Sequence, residues 1–234
     1  MILLALETAT TTCGVAVLWD DDVIAQAHLQ RPRVHSERLT PLVEDVLTHA
    51  AVEPGGLDAV AVSMGPGSYT GLRIGVSTAK GWALATDADL IGVPTLAAYA
   101  AQLRPVIATA DVVCALLDAR RDEVYAGAFR VTDEAVTEHA PTKALPVDAL
   151  REWVGPVEGR LWVVGDGGEK SRESFSAMNV PLTIVPADEL TPSAGWVARC
   201  ARQRLAMQGP DNVASFEPLY VKDVHATPAP SPFA

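Results

Sequence analysis

The chain opens with short apolar runs separated by polar turns. Residues 2–6 and 14–19 are apolar runs of strand length, a threonine-rich turn lies between them at residues 8–12, and residues 23–29 form a third run. Runs of this length that end at turn residues are typical of β-strands. The pattern therefore predicts a β-hairpin followed by a third strand.

Helical spacing of apolar residues follows. Between residues 36 and 50, leucine and valine recur at intervals of three and four residues. This spacing predicts an amphipathic helix that Ser36 or Thr40 would cap. Residues 57–64 predict a buried strand, and the helix predicted over residues 70–85 is unusual because small residues dominate it. A short strand at residues 90–93 and a helix at residues 96–103 complete this half.

The same pattern begins again after residue 104. Apolar runs at residues 112–117 and 124–131 flank a polar turn, and an acidic residue opens this turn as it opens the first one. We interpret this as a pseudo-repeat of about 100 residues, although two hairpins can also arise by chance in an α/β chain. Further strands are predicted at residues 161–164 and 182–185, and an amphipathic helix at residues 193–207.

The repeat predicts an α/β protein with two related domains, residues 1–104 and 105–222. The last segment of the second domain could pack back on the first. Residues 223–234 contain three prolines at alternate positions, which predicts a disordered tail.

Composition narrows the functional classes. Hydrophobic residues make up 49% of the 234 residues, which is enough for a globular core. With 18 Lys and Arg against 29 Asp and Glu, the formal net charge is −11, which argues against a protein that binds nucleic acid phosphates alone. No run approaches the roughly 18 apolar residues of a membrane helix, and the apolar start lacks a basic leader. Cys13, Cys114 and Cys200 form no Cys-x-x-Cys pair, so we expect reduced thiols in a cytoplasmic protein without membrane contact.

The most specific motif is a glycine-rich segment between a predicted strand and a predicted helix. Glycines allow close backbone approach, and the N–H groups of the helix start attract an anion; a tight turn that binds nothing is an equal alternative. The hydroxyl-rich turn after Glu7 could surround a phosphate and hold a hydrated cation, or it could simply close the hairpin. The candidate residues are Glu7, Thr8, Thr10, Gly65, Gly67, Ser68, Thr70, Gly71 and Arg73.

Other chemistry is weak in this sequence. A Gly-Asp-Gly-Gly turn at residues 165–168 could let a nucleotide base approach the backbone, but such a motif more often forms an ordinary turn that binds nothing. The glycine-rich segment lacks the Gly-Lys-[Ser/Thr] ending of a Walker A loop. The histidines show no metal-ligand spacing, so we expect no metal site. No nucleophile and base can be assigned, and the sequence demonstrates no catalytic centre.

Taken in order, these segments resemble the TsaB (YeaZ) family. The stretch from Gly65 to Gly75 is specific, whereas the other pieces would be weak alone. The match extends to about residue 222. The matching segments are residues 7–10, 35–39, 65–75, 118–120, 123–125, 165–167 and 218–221.

The resemblance implies two domains of the actin-like, sugar-kinase and Hsp70-type (ASKHA) architecture, each a mixed sheet with flanking helices. It also implies a role in forming N6-threonylcarbamoyladenosine at position 37 of tRNAs that read codons beginning with A. In that role the chain would be a non-catalytic dimerisation or scaffold subunit for the catalytic paralogue TsaD. A small ATPase, TsaE, would join the pair, and tRNA would be reached mainly through the complex.

The resemblance has consequences for chemistry. TsaD carries a His-x-x-x-His metal motif after the strand that corresponds to residues 90–93, and this chain has no histidine at residues 94–99. We therefore expect no independent activity and no tightly bound cofactor, with ATP or ADP and Mg²⁺ as candidates at a partner junction. The resemblance adds these residues to the candidate nucleotide site: Asp118, Arg120, Gly165, Asp166 and Gly167.

In the family, the first two helices pack against the equivalent helices of TsaD, or of a second copy in a homodimer. Small residues spaced four apart would let a partner helix approach closely; the alternative is that these residues face the chain's own sheet. The candidate contact residues are His35, Leu39, Leu42, Val43, Val46, Leu47, Gly71, Gly75, Thr78, Ala79 and Trp82. A stand-alone nucleotide-dependent phosphotransferase that uses Glu7 is the alternative function, although the second half leaves little room for a substrate pocket.

Overall fold

The computed structural model of the chain describes residues 1–132 and 135–222, so the tail predicted at residues 223–234 lies outside the described residues. Ten strands form two five-stranded mixed sheets within this part of the chain. The first sheet contains β1 (Ile2–Glu7), β2 (Thr12–Trp19), β3 (Asp22–Gln30), β4 (Ala59–Gly65) and β5 (Asp89–Pro94). The second contains β6 (Val112–Asp118), β7 (Glu123–Val131), β8 (Val136–Pro146), β9 (Leu161–Val164) and β10 (Leu182–Ile184).

Both sheets have the same topology. The first has the order β3-β2-β1-β4-β5, and the second, read in the corresponding direction, has the order β8-β7-β6-β9-β10. In each sheet the first three strands form an antiparallel meander, and the fourth and fifth strands pair in parallel beside the first. The pseudo-repeat predicted from the sequence is therefore confirmed as two copies of one sheet.

Six helices accompany the sheets in the described residues: α1 (His35–Ala50), α2 (Tyr69–Thr86), α3 (Thr95–Ala101), α4 (Leu150–Val154), α5 (Arg172–Ser176) and α6 (Ala194–Gln208). Helix α1 begins at His35 and has no side-chain cap, so the prediction that Ser36 or Thr40 caps it is wrong. The Ser68 hydroxyl does cap α2, accepting from the Gly71 N–H at 3.3 Å. None of these helices is long and apolar enough to span a membrane.

Side-chain alternation along the central strands gives each sheet two apolar faces. On the first sheet, Leu4 and Leu6 of β1 face α1 and α2, whereas Leu3 and Ala5 face α6. The second sheet packs one face against α4 and α5 and the other against α3. Helix α6, from the second half of the chain, thus covers the first sheet.

Most residues predicted to contact a partner belong to this core instead. The apolar stripe of α1 packs on β2 and β3, and α2 packs on β4. His35 is also buried, and its Nε2 lies 3.1 Å from the Thr12 carbonyl oxygen. The alternative, that these residues face the chain's own sheet, describes the single chain at His35, Leu39, Leu42, Val43, Val46, Leu47, Gly71, Gly75 and Ala79, which the fold buries; Thr78 and Trp82 are half-buried.

Candidate functional site

The glycine-rich segment and the threonine turn lie together at one edge of the first sheet. Strands β1 and β4 are parallel neighbours, so the turn after Glu7 and the segment after Gly65 leave the sheet side by side. The Ser68 N–H donates to the Ala9 carbonyl at 2.7 Å. A Cβ at Gly67 would overlap that carbonyl, and one at Gly71 would overlap the Thr8 carbonyl. The glycines here allow two chain segments to touch each other.

Glu7 is closed off from solvent inside this contact. Its side chain is only 1% exposed, the Ala9 N–H donates to Oε1 at 2.8 Å, and Ser63 is hydrogen-bonded to Oε2. Burial raises the pKa of Glu7 to about 7, although the hydrogen bonds from Ser63 and Ala9 oppose the rise. In this conformation the Glu7 carboxyl is enclosed and hydrogen-bonded within the chain, which agrees with the alternative of a turn that closes the hairpin. The alternative of a phosphotransferase loses its key carboxylate for the same reason.

The threonine side chains after Glu7 lie within the fold. Thr8 is fully buried, and its Oγ1 lies against α2 at Gly75, where a Cβ would overlap it; within the described residues this oxygen has no hydrogen-bond partner. Thr10 Oγ1 accepts from the Thr12 N–H at 3.2 Å, which closes the hairpin turn. Of the predicted hydroxyls, Ser68 and Thr70 at the start of α2 are exposed.

Residues 211–222, which we call the C-terminal strap, cover the glycine-rich segment. The Leu219 N–H donates to the Met64 carbonyl at 2.7 Å, and a Cβ at Gly65, whose φ is +124°, would overlap the Leu219 carbonyl. The Tyr220 ring lies 5.2 Å from the Tyr69 ring. The chain's own C-terminal strap therefore occupies the space next to Gly65.

The candidate nucleotide-site residues of the second half also lie close together and are hydrogen-bonded to one another. The Asp118 N–H donates to Asp166 Oδ1 at 2.8 Å, and the Arg120 N–H donates to Asp118 Oδ1 at 2.8 Å. Lys170 forms an ion pair with Asp118 at 2.5 Å, and its hydrogen bond holds the pKa of Asp118 below the usual range. The Gly167 N–H donates to the Leu116 carbonyl at 3.1 Å, and a Cβ at Gly165 would overlap the same carbonyl.

Helix α3 lies between the two candidate sets, and the sequence did not indicate this role. The Gly65 N–H donates to Thr95 Oγ1 at 3.1 Å, and the Tyr99 ring lies against Gly165. Lys222 of the strap makes a further connection, because its ammonium group contacts Glu123 at 2.5 Å. Ser63, which is hydrogen-bonded to Glu7, was also not predicted. As a polar residue inside an apolar strand, it could have been recognised from the sequence.

No group of three or more His, Cys, Asp or Glu side chains is arranged to hold a metal ion within residues 1–132 and 135–222. The segment where the paralogue TsaD would carry its two histidines forms α3 here. Its side chains Leu96, Tyr99 and Ala100 are buried against the second sheet. These positions are therefore used for packing.

The outer surface of α1 and α2 is the most open part of this region. Leu84 of α2 is 72% exposed, and a Cβ at Gly81 would meet no atom within 4 Å. Ser77 and Ala85 lie one turn before and after Gly81 and are exposed too. The neighbouring surface of α1 is polar and includes Glu44 and Thr48.

The sequence is similar to the members of one protein family. The family model described as "TsaD: tRNA N6-adenosine threonylcarbamoyltransferase" matches residues 24–161. The chain is 33% identical over 226 residues to the tRNA threonylcarbamoyladenosine biosynthesis protein TsaB of Escherichia coli K12, and the alignment covers 95% of each chain. The chain belongs to the TsaB family.

Other members and more distant folds agree with this assignment. The TsaB protein of Bacillus subtilis 168 is 33% identical over 154 residues, which cover 66% of this chain and 65% of that one. The structure of YeaZ from Pseudomonas aeruginosa has a TM-score of 0.81 with 29% identity and covers 94% of this chain and 99% of its own.

The ASKHA fold is confirmed by two distant structures. Component A of the Acidaminococcus fermentans (R)-2-hydroxyglutaryl-CoA dehydratase has a TM-score of 0.52 with 11% identity over 88% of this chain and 99% of its own. The ROK hexokinase of Thermus thermophilus has a TM-score of 0.50 with 12% identity over 89% of this chain and 100% of its own. At such low identity the likeness concerns the fold alone.

Proposed function

We propose that this chain acts in the biosynthesis of tRNA threonylcarbamoyladenosine as a non-catalytic scaffold subunit bound to a TsaD-like paralogue. Its membership in the TsaB family supports the process, since relatives carry it in their names. The observation that carries the non-catalytic role is the closed candidate site, in which Glu7 is buried and the strap covers Gly65.

The partner binds the outer surface of α1 and α2. A glycine inside a helix costs about 1 kcal/mol of stability relative to alanine, and nothing in the described residues needs Gly81 to lack a side chain. Close approach of a helix from another chain would explain it. The exposed Leu84 beside it would then be buried on assembly.

Pull-down of the TsaD-like partner and reconstituted tRNA modification test this proposal together. Gly81→Leu leaves the fold intact, because the space around Gly81 is open, but it blocks a second helix. We expect it to abolish co-purification and to lower the yield of N6-threonylcarbamoyladenosine measured by nucleoside mass spectrometry. Gly55→Leu is the matched control, since that glycine also meets no atom within 4 Å and lies outside both helices.

Full modification by a system that lacks this chain would refute the scaffold role. Normal binding and modification with Gly81→Leu would instead refute only the proposed surface. In the absence of the paralogue, the same surface would pair two copies of the chain. Sedimentation velocity would show a dimer for the wild type and a monomer for Gly81→Leu.

The rest of the proposed assembly follows from the resemblance. A TsaE-like ATPase joins the pair, and ATP or ADP with Mg²⁺ binds at a junction between subunits rather than in this chain alone. The net charge of −11 supports RNA binding mainly by the partners. Three free cysteines, two of them buried, support a reducing, cytoplasmic location.

A further inference from the structure

An arginine-rich pocket lies on the face of the first sheet opposite α1 and α2. It has a volume of about 330 Å³ and forms where α6 meets the turn between β2 and β3 and the end of α3. Its lining residues are Leu18, Asp21, Arg104, Arg199, Arg202, Gln203 and Ala206. Three cationic side chains around one cavity are unusual in a chain with a net charge of −11.

The acidic groups at this pocket do not balance the arginines. The Asp21 carboxylate forms an ion pair with Arg202, while Arg199 Nη1 donates to the Asp21 carbonyl at 2.9 Å. The neighbouring Asp20 is paired with the N-terminal ammonium group at 2.6 Å, and its carboxylate also interacts electrostatically with Arg202. Among the lining residues, three guanidinium groups therefore face one carboxylate.

The pocket also holds its arginines in place. The guanidinium carbons of Arg104 and Arg199 lie over the Trp196 ring, 5.9 and 5.7 Å from its centroid. Arg104 Nη2 donates to Gln203 Oε1 at 3.3 Å. The Nε of Arg104 is buried and has no hydrogen-bond partner in the part of the chain that the structure describes. A buried donor without an acceptor costs free energy.

One arginine would be enough to hold α6 against the β2–β3 turn. Arg202 already does so through its ion pair with Asp21. The guanidinium group carries five N–H donors in a planar fork that matches phosphate oxygens. We propose that Arg104, Arg199 and Arg202 form a binding site for a phosphate group. This site is separate from the α1 and α2 surface, and it does not depend on the proposed scaffold role.

Calorimetric titration of the full chain with pyrophosphate at low ionic strength tests the site. We expect saturable binding that Arg199→Gln weakens at least about tenfold, since hydrogen bonds to charged groups are worth roughly 1.5–3 kcal/mol. Arg104→Lys keeps the charge but loses the fork, and we expect it to weaken binding as well. Arg151→Gln, which changes an exposed arginine of α4 in the other half, should bind like the wild type.

Asp21→Asn gives a second test, in which we expect tighter rather than weaker binding of pyrophosphate. Removal of the competing carboxylate should strengthen pyrophosphate binding. Filter binding of tRNA with the same variants distinguishes an RNA phosphodiester from a free phosphate as the source of the group. A loss confined to the pocket variants with either probe supports the site. Absence of binding to both probes, or equal effects of Arg199→Gln and Arg151→Gln, overturns it.

Discussion

At the scale of single residues, Glu7 is a buried carboxyl whose protonation depends on pH near neutrality. Burial raises its pKa from 4.5 to about 7, so the folded state holds a proton that the unfolded state releases between these pH values. The contribution of Glu7 to stability is therefore present below about pH 4.5 and is lost as the pH rises through 7. The free energy of unfolding falls by up to about 3 kcal/mol over this pH range because of Glu7.

Glu7→Gln replaces the carboxyl with a neutral group of the same shape. Compared with the wild type, we expect the variant to gain up to about 3 kcal/mol between pH 4.5 and pH 8, measured by chemical denaturation. Glu37→Gln, at an exposed position of α1, should show no such trend. A difference between Glu7→Gln and the wild type that stays constant over this pH range would contradict the buried, protonated carboxyl.

Gly75 and Gly81 occupy the same helix but should respond oppositely to alanine. A Cβ at Gly75 would overlap the Thr8 hydroxyl, whereas a Cβ at Gly81 meets open space. We expect Gly75→Ala to lower the free energy of unfolding by about 1–3 kcal/mol through overpacking. Gly81→Ala should raise it by up to about 1 kcal/mol. Thermal unfolding of both variants checks the prediction, and shifts of the same sign would contradict it.

The sequence identified Glu7, Gly71 and Gly75 as special without showing what approaches them. Glycine reports that a backbone needs space, but the occupant of that space is set by tertiary contacts. Here the occupant is the Thr8 turn, not a ligand. For the same reason, the apolar stripe of α1 predicted the helix but could not reveal whether its own sheet or a partner covers it.

At the scale of elements, the C-terminal strap has one buried aromatic anchor among its polar contacts. Phe216 is nearly buried and packs on Gly92, and Lys80 Nζ donates to the Phe216 carbonyl at 3.1 Å. We expect Phe216→Ala to release the strap, so that proteases cut residues 211–222 much faster while the core stays folded. Limited proteolysis with mass spectrometry measures this.

Tyr220→Ala is the control for the strap. Tyr220 is 42% exposed, and its ring contacts the Tyr69 ring, a contact worth about 1 kcal/mol. Cleavage should therefore change little. Equal rates for Phe216→Ala and the wild type would show that another contact holds the strap.

The sequence predicted most regular elements, including the exposed strand β3 and the three-residue strand β10, but it missed β8, α4 and α5. Strand β8 is an edge strand whose residues are mostly exposed or half-buried, and it contains Pro141, so it resembles a loop in sequence. Helices α4 and α5 have five residues each, which is too short for a 3.6-residue period to be visible. The strap has no regular structure, and its position depends on distant contacts alone.

At the scale of the whole molecule, each half of the chain contributes a helix that packs on the sheet of the other half. Helix α6 comes from the second half and packs Val197, Ala198 and Ala201 on the first sheet. Helix α3 comes from the first half and packs Leu96 and Tyr99 on the second sheet. The two helices also contact each other. Each half therefore relies on the other to cover one apolar face.

This exchange predicts that residues 1–104 do not fold alone. Without α6, the fragment would expose the face of the first sheet that carries Leu3, Ala5 and Ile91, and exposed apolar surface of this kind leads to aggregation. A fusion of residues 1–104 to residues 190–222 returns α6 to that face, and we expect it to unfold more cooperatively than residues 1–104; the Tyr99 hydroxyl donates to the Leu190 carbonyl at 2.5 Å, so the added segment begins beside α3. Cooperative thermal unfolding, followed by circular dichroism, distinguishes the two proteins. If residues 1–104 unfold cooperatively without α6, the apolar face of the first sheet does not need the second half, and the repeat consists of two independent domains.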